Sequence, residues 1–216
     1  TGLVVHLCGS HGGMHTGQDG SSAQSTEDLG IFRTLPEVTV MTPSDRNSAR
    51  SLTRKLLDHP KPSYTRTARN KTREIYTEEE AEALEIGRAS VLREGADASI
   101  IACGVMVERA LEAAETLAAK GIDTMVIDMH TIKPIDREAI IRAASRGAIV
   151  TAEDHSVMGG LGSAVAEVLV EEAPTMMRMI GVRDKFGESG SPMDIMDKMG
   201  LTSENIATKV VDLLSK

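Results

Sequence analysis

Two histidines, an aspartate and five glycines crowd one loop, Gly9-Ser-His-Gly-Gly-Met-His-Thr-Gly-Gln-Asp-Gly-Ser-Ser-Ala-Gln24. His11 and His15 stand four apart, a spacing that grips a metal ion when both project from one helix. Gly12 and Gly13 lie between them and disfavour a helix, and no Cys or carboxylate completes a compact set, so no metal site is expected. Glycine-rich backbone approaches ligands closely, and imidazole or carboxylate side chains on it can hydrogen-bond them. The plain alternative is a glycine-rich surface loop.

Other residues invite a chemical reading. Gly17-Gln-Asp-Gly20 with Asn47 imitates the Gly-Asp-Gly…Asn pattern that holds a magnesium-bound diphosphate. Gln18 stands where glycine is needed and Asn47 falls inside a helix, so no diphosphate site is expected here. Arg66 and Arg69 follow a strand, where an Arg fork suits phosphate; solvated charge is the alternative. Gly159-Gly-Leu-Gly-Ser163 opens a helix after Glu153-Asp-His155. The spacing is not that of a dinucleotide site, so close helix-on-strand packing is expected. His155 reads as a structural or interface histidine.

These residues need strands and helices to place them. Leu3–Cys8 reads as a buried strand, 26–35 as a helix, Val38–Thr42 as a strand, Ser44 as the cap of a helix reaching His59, and Ser63–Thr67 as a strand. That β-α-β-α-β run is the unit of a parallel sheet, and strand ends in such sheets are where ligands bind. Residues 70–82 are polar and acidic and read as an exposed linker. Beyond them comes a short strand or hairpin at 84–93. Strands at 98–103, 124–128, 148–152 and 176–180 then alternate with helices at 105–120, 136–145 and 161–173. Two short helices, near 193–199 and 203–215, close the chain. The first part, with three strands and two helices, looks like half of a domain.

Composition sets further bounds. Hydrophobic content of 41% supports a core, filled by aliphatic side chains and 12 Met because aromatics are only 2%. Cys8 and Cys103 lie in apolar runs and read as buried thiols of a reducing compartment. Neither a signal peptide nor an apolar run of about 18 residues is present, so a soluble cytoplasmic protein without membrane partners is expected. Residues 1–72 carry nine Lys and Arg against six Asp and Glu, net +3; the rest carries fifteen against twenty-six, net −11. That balance argues against nucleic-acid binding and leaves room for an anionic ligand near the N-terminal part.

Taken in order, the motifs resemble the transketolase family. Ser10–Gly20 is similar to its loop Ser/Thr-His-x5-Gly-Glu-Asp-Gly-x3-Gln, and Glu27–Pro36 and Val40–Asp45 continue the likeness. Ile132–Asp136, Glu153–Val165 and Phe186-Gly-Glu-Ser-Gly190 resemble its C-terminal domain. The style is that of split transketolases, whose C-terminal half is a separate subunit. The resemblance implies an α/β fold: a partial parallel-sheet pyrimidine-type domain at 1–72, a linker at 73–82, and a three-layer α/β/α transketolase C-terminal-like domain at 83–216.

It also implies thiamine diphosphate and Mg2+ in the complete enzyme, with a two-carbon ketol unit passing between sugar phosphates of the pentose phosphate type. His11 would contact the substrate's phosphate or hydroxyls, Asp19 a sugar hydroxyl, and Arg69 the sugar phosphate. The family's second histidine, four residues after the Asp, is Ala23 here, and Gln18 replaces the usual Glu. The catalytic Glu motif, Gly-x-Ala-Glu-Gln, would lie upstream of Thr1. No catalytic residue is therefore expected in this chain, no cofactor-binding residue is assigned, and the isolated chain is expected to be inactive and free of cofactor. The implied partners are an N-terminal transketolase subunit or domain, in a homodimer or heterotetramer. The competing readings are a non-catalytic subunit-assembly module, a 1-deoxyxylulose-5-phosphate synthase and a 2-oxo acid dehydrogenase beta-type subunit.

Overall fold

The computed structural model describes residues 2–215 and places two sheets side by side. The first contains β1 (His6–Ser10), β2 (Thr39–Met41) and β3 (Ser63–Thr67), joined by α1 (Asp28–Thr34) and α2 (Arg46–Lys55). After α3 (Glu78–Glu82) come β4 (Ser90–Arg93), β5 (Ala98–Ala102), α4 (Met106–Ala118), β6 (Thr124–Asp128) and β7 (Thr131–Lys133). The chain then forms α5 (Arg137–Ala144), β8 (Ala148–Ser156), α6 (Leu161–Glu172), β9 (Met176–Val182), α7 (Pro192–Lys198) and α8 (Ser203–Leu214).

The second sheet runs β4-β6-β5-β8-β9 and is parallel except for β4 against β6. Its strands alternate as the pleat requires. Ile100, Val126 and Val150 face α4 and α8, whereas Ile101, Ile127 and Ile149 face α5 and α6. Three layers result, as the alternating sequence pattern predicts.

The first sheet runs β1-β3-β2-β7. Its three early strands are parallel; β7, from far along the chain, pairs antiparallel with β2. This fourth strand escapes a pattern reading because three residues before a proline carry almost no periodicity. The expected buried strand at 3–8 is corrected: β1 begins at His6, lies at the sheet edge and, among the described residues, bonds β3 alone. Leu3, Val4, Val5 and Leu7 are exposed, and so is Cys8; only Cys103 is buried, which pushes its thiol well up.

Asp45, not Ser44, caps α2. Its Oδ1 accepts the Ser48 N–H at 2.8 Å while Ser48 Oγ accepts the Asp45 N–H at 3.0 Å, a reciprocal box. Ser44 is occupied elsewhere, donating to Asp128 Oδ2 at 2.8 Å. The helix ends at Lys55, and one 3-10 turn over Leu56–Asp58 replaces its expected last turn. The polar stretch at 70–82 is not a bare linker. Ile75 and Tyr76 donate backbone N–H groups to Asp45 Oδ2, and α3 packs on α2 through Ala81, Leu84 and Leu52. The segment at 84–93 yields one strand, not a hairpin.

The two halves share one interior. Leu29, Val40 and Tyr64 of the first join the cluster of Ile101, Ile127 and Leu161 of the second. Between them lies Asp128, where burial pushes the carboxyl up to about 7 although Ser44 and Tyr76 both donate to it. Nearby in sequence, burial lowers His130 to about 4. No helix among the described residues is long and apolar enough to cross a membrane.

Candidate functional site

The register of β1 on β3 sets Ser10 opposite Thr67. His11 and Arg69 therefore follow the same end of neighbouring parallel strands, the end at which α/β sheets bind ligands. His11 takes a left-handed backbone (φ 68), donates its N–H to Thr67 O at 3.1 Å and leaves its ring exposed beside Ser10 Oγ. The chain then folds into two tight 3-10 turns over Met14–Asp19, kinked at Gly17.

Those turns bring two of the sequence-predicted site residues together. Arg69 Nε lies 3.2 Å from Asp19 Oδ2, and Arg69 Nη1 donates to Gln18 Oε1 at 3.2 Å. The pair is about one-third exposed, so it is accessible yet held. Asn70 donates to His15 O at 2.6 Å and ties the end of β3 to the same loop. A cavity of about 370 Å3 opens past β2 and β3, lined by Thr67, Ala68, Asn70, Lys71 and Arg46; Arg69 is not among its lining residues.

His15 does not join His11. Its side chain is half-buried among Asp154, Arg109 and Glu108, and desolvation lowers its pKa despite Asp154. The two histidines thus meet different surroundings, and no cluster of three or more His, Cys, Asp or Glu among the described residues could hold a metal ion. The diphosphate pattern also fails on geometry. Asn47 is buried in α2 and donates its amide to Tyr76 O at 2.7 Å, while Asp19 is paired with Arg69. The residues present do not form a cradle for a diphosphate with its magnesium ion.

Arg66 is neither a phosphate fork nor a solvated charge. Its Nη1 pairs with Asp28 Oδ1 at 3.1 Å and its Nη2 donates to Asp154 O at 2.7 Å, all buried. Desolvation works against the guanidinium's charge, but Asp28 and then Asp154 outweigh it and hold the pKa above its ordinary value. Tyr64 adds a hydrogen bond to Asp28 Oδ2 at 2.7 Å. His155 is fully buried between the halves, with Nδ1–H on Ser156 O and Nε2 accepting the Gly30 N–H at 3.3 Å. Glu153 accepts the N–H groups of Leu161 and Gly162 at 2.7 and 2.8 Å. The start of α6 is therefore already satisfied, and its glycines serve close packing.

Three residues of this region escape a sequence reading. Met14, in the glycine loop, is fully buried in the core of the second sheet. Asp154 accepts the Met14 and His15 N–H groups at 2.7 and 3.0 Å. Gln24 bonds both the loop and a distant segment. Gln24 sits within the loop motif, which is the signal that marks it; nothing local marks Met14 or Asp154.

Comparison with known proteins decides the family. Residues 1–74 match the model of the transketolase pyrimidine binding domain, and residues 87–206 that of the transketolase C-terminal domain. The chain belongs to the transketolase family. A 6-deoxy-6-sulfo-D-fructose transketolase subunit of Clostridium sp. (strain MSTE9) is 44% identical, aligned over 95% of this chain and 63% of its own length. A putative transketolase C-terminal section of Methanocaldococcus jannaschii is 39% identical over 99% of this chain and 67% of that protein. Among solved structures, a split-gene transketolase described as an inactive beta4 tetramer superposes with a TM-score of 0.91 at 42% identity, covering 98% of this chain and 67% of that one. The chain therefore spans about two-thirds of the length of these relatives. The transketolase family depends on thiamine diphosphate in general.

Proposed function

We propose that this chain is the C-terminal part of a thiamine-diphosphate-dependent transketolase in the cytoplasm and forms one wall of its sugar-phosphate site. The observation that carries this reading is the Asp19–Arg69 pair at the strand-end loop that also carries His11. Arg69 presents a planar fork for a tetrahedral oxyanion, Asp19 an acceptor for a sugar hydroxyl, and His11 an exposed ring for either. With no substrate the two charges neutralise each other; a sugar phosphate would take the guanidinium while its hydroxyl took the carboxylate.

An N-terminal chain brings the cofactor, whose bound form supplies the carbon nucleophile and electron sink for ketol transfer. Assembly with that chain is supported by the subunit names of the relatives. A division into 1–72, a 73–82 connection and 83–216 is part of the same reading, supported by the gap between the two family matches. Because the residues present do not cradle a diphosphate, the isolated chain is expected to lack activity and useful cofactor affinity. Calorimetry with cofactor and Mg2+ checks this, and micromolar binding would contradict it.

The main test uses the complex with its N-terminal partner, on xylulose 5-phosphate plus ribose 5-phosphate. Arg69→Ala should raise KM for the phosphorylated donor about 10- to 100-fold, the value of a charge-assisted hydrogen bond, and Asp19→Ala should act in the same direction. Unchanged KM in both variants would leave the chain as an assembly module. A preference for a sulfonated over a phosphorylated donor would move the substrate class toward that of the Clostridium relative.

A further inference from the structure

The loop that carries Asp19 is held from outside itself. Gln24 is buried, and its Nε2 donates to Gly17 O at 3.0 Å and to Glu188 O at 2.9 Å, 164 residues away in the chain. Both donor hydrogens of the amide are used, one on each segment. The approach is close. A Cβ at Gly187 would lie 1.8 Å from Gln24 Oε1, and one at Gly17 (φ +74) would lie 2.7 Å from Pro192 Cγ, the first residue of α7. From the other side Asp154 holds the Met14 and His15 N–H groups, and the Met14 side chain is locked in the core of the second sheet. Gly17, the residue gripped, is the kink immediately before Gln18 and Asp19.

We propose that Gln24, with the Gly187–Pro192 segment it binds, is a positioning element that sets Asp19 and Arg69 for the sugar. The second α/β unit thereby acts in substrate recognition without touching substrate. Resting on the site reading above, this inference adds that the geometry of the pair is fixed by a clamp between Gln24 and the backbone of the second unit. The Asp19 carboxylate and Arg69 Nε are 3.2 Å apart, and displacing catalytic or binding groups by about 1 Å can cost up to about 100-fold.

The test again uses the complex with its N-terminal partner. Gln24→Met keeps length and removes both donor bonds. It should raise KM for the ketose phosphate about tenfold while kcat stays within about twofold, since the residue acts on binding geometry. In an Asp19→Ala/Arg69→Ala background the same substitution should add almost nothing, because its effect runs through that pair. A merely structural role predicts a lower melting temperature with additive losses in both backgrounds, and that result overturns the proposal. Gly187→Ala is the independent probe: its methyl group pushes Gln24 Oε1, so it should reproduce the rise in KM. The Gln24→Ala/Gly187→Ala pair should be no worse than Gln24→Ala alone. If Asp19→Ala and Arg69→Ala raise KM but Gln24→Met and Gly187→Ala do not, the clamp is wrong and the site stands. If none of the four changes KM, the site itself is wrong.

Discussion

Leu7 and Ile100 both sit on parallel strands, yet Leu7 is 48% exposed and Ile100 is fully buried. Ile100 belongs to a sheet covered on each face by its own helices. Leu7 belongs to a sheet that borrows: its far edge from β7, part of its interior from Ile101, Ile127 and Leu161, and a buried hydrogen-bond acceptor for Arg66 from the Asp154 carbonyl. The contrast shows where the binding loop gets its order. That loop projects from one sheet and is fixed by elements of the other.

The strongest way to break this comparison is at the seam. Arg66→Ala leaves Asp28 buried without its cation and should cost about 3–5 kcal/mol in denaturant unfolding. Ile100→Ala, in the sheet that covers itself, should cost about 2–5 kcal/mol. Leu7→Ala, on the open edge, should cost less than about 1 kcal/mol in the chain alone, because half of its side chain already meets water. A seam variant milder than Leu7→Ala would mean that the first sheet stands without the second.

The seam also carries an acid-base signature. Asp128, with a native pKa near 7 against about 4 unfolded, keeps a proton that the unfolded chain loses. Its contribution is full below pH about 4 and is lost as the pH rises through about 7. His130 runs the other way: native near 4 against about 6.5 unfolded, its contribution is present above about 6.5 and lost as the pH falls through about 4. Between those values the slopes oppose each other. Asp128→Asn keeps an acceptor for Ser44 and Tyr76 and removes one slope. Its stability relative to the parent chain should improve by on the order of 2 kcal/mol between pH 5 and pH 7.5 in urea titrations. An unchanged difference at the two pH values would show that Asp128 is ionised throughout.

The smallest effect sharpens the site. Gln18 gives Arg69 a neutral neighbour where the family pattern has Glu. Gln18→Glu supplies a second carboxylate and should raise KM for a phosphorylated donor about two- to fivefold in the assembled enzyme, the scale of an exposed ion pair. Equal or lower KM would separate Arg69 from the anion.

Legibility followed the range of the interactions. Ser63–Thr67 and Thr124–Asp128 emerge as strands with their expected limits, because buried β-branched runs declare themselves locally. His11, Asp19 and Arg69 follow from motif order, and the fold sets the last two in contact. Ser44 looked like a cap because a hydroxyl before a helix usually is one; only Asp128, 84 residues away, shows it to be engaged elsewhere. Arg66, Met14 and Asp154 were hidden for the same reason: their partners are fixed by how the halves meet, and no window of sequence contains both sides.

The pairing of β2 with β7 has a consequence for synthesis. Met41 and Thr131 are neighbours in space but about 90 residues apart in the chain. At roughly 5–20 residues per second, a ribosome needs on the order of 5–20 seconds to deliver the second partner after β2 has emerged. For that interval the nascent chain carries a bare strand edge, the kind of edge that recruits other strands. The order in which the polypeptide leaves the ribosome thus keeps one edge of β2 open until β7 has followed it.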